Sequence, residues 1–186
     1  NAAYFAISET MKGDSGMFKA INEGMTATKN SVATARLGSE TVKDLANQMV
    51  ERIAFAQSDG VDKADVQAEL DGLVANMQSA IDQATFNGDD LVGGTAATVN
   101  VVSGISRASG SFATTSISFQ SVDLQAIQTA MAAIDVTDTG TTMAAKLVVA
   151  EGQLDASISA ATSMGVTEKT LENQMDFLGA LTDTID

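Results

Sequence analysis

The chain has 186 residues, a formal net charge of −14 at pH 7 and a sequence pI near 4.1. So acidic a surface repels nucleic-acid backbones and anionic membranes, and neither is expected as a partner. With 45% hydrophobic residues in periodic order the chain is expected to fold, and with no Cys it has no disulfide framework.

Aromatic residues make up only 4%, which favours narrow apolar stripes between helices over a rounded core. Proline is absent, although an average chain this long would carry roughly nine. Long uninterrupted helices explain that absence, because an interior proline removes a hydrogen bond and clashes with the preceding turn. No run approaches the roughly 18 apolar residues of a membrane span, and no signal peptide is visible. The chain opens at Asn1 inside a helical pattern and closes on TDTID without a stop signal, so a fragment trimmed at both ends is expected.

In chain order, the first element is a long helix. Phe18, Ile21, Met25, Thr28, Val32, Ala35, Ser39, Val42, Ala46, Met49, Ile53 and Ala56 step alternately by three and four. That spacing predicts a helix of about 40 residues with a coiled-coil-like seam. Gly60 is its expected left-handed stop, and Asp62 with Asp65 opens a second helix. The apolar face of that helix is Val66, Leu70, Leu73, Met77, Ala80, Ile81 and Ala84, and the short loop implies antiparallel packing.

After Leu91 the composition turns to Gly, Ser and Thr and the period falls to two. Val99 and Val101, a polar turn around SRASG, then Phe112, Ile117 and Phe119 predict a β-hairpin. Ser121 or Asp123 is expected to cap a short helix through Leu124, Ile127, Met131 and Ile134. A last helix from about Thr142 carries Leu147, Leu154, Ile158, Ala161, Met164, Leu171, Met175, Leu178 and Ile185 on one side. The expected fold is mainly α with a small β-hairpin region, an elongated antiparallel helical bundle or rod with a short β-rich tip. Its expected parts are an N-terminal helical arm (1–92), a reduced β-rich insertion (93–122), and a short helix with the returning helix (123–186).

Little chemistry is available. The absence of His removes the usual general base, the Ser-His and Cys-His dyads and most zinc ligand sets. No phosphate-binding glycine motif occurs. Asp59, Asp62 and Asp65 sit at a helix start, where the dipole favours anions, and read as capping residues. Asp135, Asp138 and Gly140 miss the spacing of a calcium loop. The methionines fall on the helical stripes and read as core filling. No catalytic, cofactor or metal site is expected, and nothing supports an enzyme.

QATFNGDDLV, residues 83–92, sits between the second helix and the hairpin. Together with the opening helix (AISE, then MVERI at 49–53) and the ENQM stretch at 172–175, it resembles bacterial flagellin, most closely the alphaproteobacterial kind. The signature turn of that family falls on Thr85, Phe86, Asn87 and Gly88. The resemblance covers about three quarters of the chain and implies a structural subunit of the flagellar filament, self-assembling head to tail for motility. It also implies secretion through the flagellar export system to the cell exterior, with other flagellin subunits, the export apparatus, an export chaperone and a filament cap as partners. Without its termini the fragment is expected to be monomeric.

Family members carry an RVREL-like run used in axial packing and recognised by an innate toll-like receptor. This chain has Gln48, Met49, Glu51, Arg52 and Ile53 there, with the charge order reversed, so weak or absent receptor signalling is expected. Asn173 and Gln174 fall in the second family motif, where the family's Arg-Phe pair is replaced by Gln174 and Met175. These residues are the candidate subunit-contact region. The alternatives are a hook-filament junction protein, which usually has a longer middle, a signalling coiled coil, which would not explain the β-rich stretch, or an exported helical adhesin or effector.

Overall fold

The computed structural model describes residues 2–85, 90–108 and 110–185. It contains α1 (Ala2–Phe55), α2 (Lys63–Ala84), β1 (Thr98–Ser106), β2 (Ala113–Gln120), α3 (Leu124–Ala132) and α4 (Met143–Ile185). The class is as expected, four helices and one two-stranded antiparallel sheet. The first helix is longer than its apolar periodicity suggested, 54 residues, because nothing between Ala2 and Phe18 breaks it. It stops where expected: Gly60 takes a φ of 82°, and the Asp62 carboxylate caps α2 by accepting from the N–H groups of Ala64 and Asp65. Asp123, rather than Ser121, caps α3 through the Ala126 N–H, and Thr142 Oγ1 accepts from the Ala145 N–H at the start of α4.

The chain divides into two compact units, and both long helices contribute to each. One comprises Asn1–Val32, Thr98–Gln120 and Val166–Asp186. In it the hairpin is seated on the terminal segments of α1 and α4. Gln174 Nε2 donates to the Ser103 carbonyl over 2.7 Å, and Arg107 Nη2 pairs with Asp14 at 2.9 Å. Val101, Ser103 and Gly104 of β1 and Phe119 of β2 are the buried strand residues. Phe112, read with the second strand in the sequence, precedes β2 and is 49% exposed, with its ring 5.3 Å from the Arg107 guanidinium. The strands pair from Thr98↔Gln120 to Ser106↔Ala113, with a bulge between Val102 and Gly104.

The other unit comprises Ala33–Ala97 and Ser121–Gly165. Its core is built from Val42, Ala46, Met49 and Ile53 of α1, Val66, Leu70, Met77 and Ile81 of α2, and Leu124, Ile127 and Met131 of α3. Gly38 lets α1 and α2 approach closely, since a Cβ there would lie 2.8 Å from the Ala84 Cβ. Gln78 and Gln125 exchange side-chain hydrogen bonds at 2.9 and 2.8 Å, tying α2 to α3. Lys146, buried, donates from Nζ to the carbonyls of Asp138 and Thr141 and so closes the loop before α4.

One expectation is corrected. The first half of α4 is rotated by one residue: Lys146, Ala150, Ser157 and Ala160 are buried, whereas Ile158 is 43% exposed and Leu147, Leu154 and Ala161 are only half-buried. The two readings converge at Met164, Leu171 and Leu178. Apart from Lys146 this inner line carries small side chains, and Ser157 satisfies its hydroxyl locally by donating to the Leu154 carbonyl at 2.7 Å. Apolar content alone points to the wrong side here.

Candidate functional site

The candidate residues on α1 follow from helical geometry. A 100° step per residue puts Met49 and Ile53 on the seam, both fully buried, and turns Gln48 and Glu51 outward. Arg52 lies between these faces. Its Nε is 2.5 Å from Glu69 Oε2 on α2, too oblique for a hydrogen bond, while Nη2 donates to Glu69 Oε1 at 3.3 Å. The guanidinium also lies 4.5 Å from the centre of the Phe55 ring. Arg52 thus lines a shallow groove together with Gln48, Glu51, Glu69, Gly72, Leu73 and Asn76. The pair is partly solvated, so it contributes on the order of 1 kcal/mol or less and mainly fixes the arginine's orientation.

On α4, Asn173 is exposed and Gln174 is turned inward to β1. Met175 is half-buried, and its carbonyl accepts from Asn22 Nδ2 of α1 at 3.4 Å. Phe177, two residues on, is 57% exposed, a large apolar side chain left in solvent next to the motif. The α1 and α4 candidates belong to different units, each a patch in its own right. Of the signature turn, Thr85 ends α2 by donating its N–H and hydroxyl to the Asp82 carbonyl, and Phe86, Asn87 and Gly88 lie outside the described residues.

Sequence reasoning missed the partners that position these residues: Glu69 for Arg52, Ser103 for Gln174 and Asp14 for Arg107. Only the last had a visible signal, since Arg107 is the single charged residue between 93 and 122. The hydrogen bonds that Arg107 donates to the Asp14 carboxylate, and then that carboxylate's charge, raise the Arg107 pKa. Among the described residues no group of three or more acidic side chains is arranged to hold a metal ion, and no helix is long and apolar enough to cross a membrane.

The fold resembles that of a solved flagellar protein. A solved flagellar hook-associated protein from Vibrio parahaemolyticus superimposes with a TM-score of 0.61, covering 100% of this chain and 96% of that one at 10% identity. The sequence relatives are more specific: the chain is a homologue of flagellins, mostly alphaproteobacterial ones. It is 25% identical to a flagellin of Brucella melitensis over its whole length, covering 68% of that protein. It is 34% identical to flagellin B and to flagellin A of Rhizobium meliloti over 58% and 64% of its length. The chain spans 28% and 31% of those two proteins. No family model matches it.

Proposed function

We propose that the chain is the helical body of a structural subunit of the bacterial flagellar filament. The observation that carries this reading is flagellin homology over the full chain, with the order of two helices, hairpin and returning helix that the resemblance implies. Copies join head to tail, since an open filament needs two different complementary surfaces on each subunit. The outward side chains Gln48 and Glu51 with the half-buried Arg52 on α1, and Asn173 beside Phe177 on α4, are suited to such contacts. The role is structural rather than catalytic. Export from the cell through the flagellar apparatus, with a chaperone and a cap at the growing end, belongs to the same proposal. So does weak or absent toll-like receptor signalling, because Arg52 is engaged by Glu69 and follows Glu51 in reversed order. Strong activation of a receptor reporter by low doses of the full-length protein would refute that last point.

The likeness to a hook-associated structure supports a second reading, a junction protein between hook and filament. Electron microscopy of filaments sheared from the source cells, with peptide mass spectrometry of the purified filaments, separates the two. Peptides of this chain as the dominant component support the filament subunit. Their restriction to the hook junction would support the alternative.

A further inference from the structure

The sheet has only two strands, so each strand has an outer edge, and the two edges are treated differently. On β1 the bulge at Ser103 interrupts the ladder, and Gln174 takes the Ser103 carbonyl. Both features obstruct the addition of another strand. β2 has neither. Ala113–Gln120 contains no proline and no charged residue, its own residues pair without a skip, and residues 113–116 and 118 are exposed. Alternate N–H and C=O groups of an antiparallel strand point away from its partner, and among the described residues no strand lies beyond β2.

Such an edge is met by another extended strand, and charge identifies which one. All 24 acidic residues lie outside 93–122, and the only charge within that segment is Arg107. Two copies of a chain carrying −14 repel over most of their surfaces but not here. An identical strand laid antiparallel supplies matching donors and acceptors by symmetry, and Thr114, Thr115 and Ile117 suit cross-strand packing. We propose that residues 114–118 of β2 pair antiparallel with the same residues of a second copy, joining two hairpins into one four-stranded sheet about a two-fold axis. This contact is closed and cannot propagate, so it is separate from head-to-tail assembly. The monomer expected in dilute solution becomes one side of a monomer–dimer equilibrium.

Because the chain has no Cys, single introduced cysteines report the contact cleanly. Thr114→Cys, Thr115→Cys, Ser116→Cys and Ser118→Cys would be oxidised mildly beside Glu151→Cys, an exposed control on α4. Disulfide-linked dimer is expected several-fold more at one β2 position than at its neighbours, because only the residue on the axis faces itself. In the otherwise unchanged chain, Ser116→Lys is expected to abolish the dimer seen by light scattering at high concentration while helical circular dichroism stays the same. No dimer at any β2 position, equal cross-linking at the control, or a dimer that survives Ser116→Lys would overturn the proposal.

Discussion

Gln174 Nε2 donates to the Ser103 carbonyl over 2.7 Å, joining the returning helix to the bulged residue of β1. The bulge leaves this carbonyl without a ladder partner, so the side-chain amide replaces a backbone donor. Gln174→Ala is expected to cost about 1 kcal/mol, the net worth of one hydrogen bond with a part-buried acceptor. Chemical denaturation measures the loss, and hydrogen exchange should quicken in β1 before it does in α2. Equal acceleration in both would show that the bond does not hold the hairpin specifically.

Gly38 and Gly72 give a paired test of packing. A Cβ at Gly38 would collide with the Ala84 Cβ at 2.8 Å, whereas one at Gly72 meets nothing within 4 Å. Alanine in a helix interior is worth about 0.5–1 kcal/mol over glycine. Overpacking costs about 1–3 kcal/mol and should win at Gly38 only. Thermal melts should therefore show Gly38→Ala destabilised and Gly72→Ala stabilised, and the same sign at both positions would contradict the close approach of α1 and α2.

Asp135 provides a pH prediction. Its carboxylate accepts from the Thr137 hydroxyl at 2.5 Å and from the Thr137 N–H at 2.9 Å, which hold its pKa below the usual aspartate value, with a smaller contribution from Lys146. A depressed folded-state pKa adds stability that is present above the unfolded-state value and is lost as pH falls through the folded one. Thr137→Ala should raise the Asp135 pKa in an NMR titration while keeping the backbone bond. No movement would mean that the hydroxyl is not the main cause.

Phe177 separates folding from assembly. At 57% exposure its replacement by Ser should change stability by no more than about 0.5 kcal/mol. If the outward face of α4 takes part in subunit contacts, Phe177→Ser in the full-length protein should still impair filament formation in electron micrographs. Normal filaments would remove this residue from the contact surface.

The sequence made some of this legible and hid the rest for identifiable reasons. On α1 the apolar stripe is continuous, and Met25, Val32, Ala35, Val42, Ala46, Met49, Ile53 and Ala56 are buried as their spacing predicts. On α4 the stripe between 146 and 160 is made of Lys, Ala and Ser, so a reading that follows the larger aliphatics lands one residue away. The hairpin was legible from its period of two, but its seat on α1 and α4 depends on Asp14 and Gln174, far away in sequence. At the candidate site, the same periodicity that placed Met49 and Ile53 in the core also exposes Gln48 and Glu51. Glu69, which orients Arg52, carried no local signal.

The methionines at the centre of the helical packing also make the fold a chemical shield. Met25, Met49, Met77, Met131 and Met164 have no solvent exposure, so an oxidant meets their thioethers only in the unfolded chain. A sulfoxide formed there would introduce a polar, chiral group where close apolar contact is required. For a chain that reached its site unfolded, the interval before burial would be the period of danger. The sulfoxide content of the mature protein would then record how quickly each copy folded.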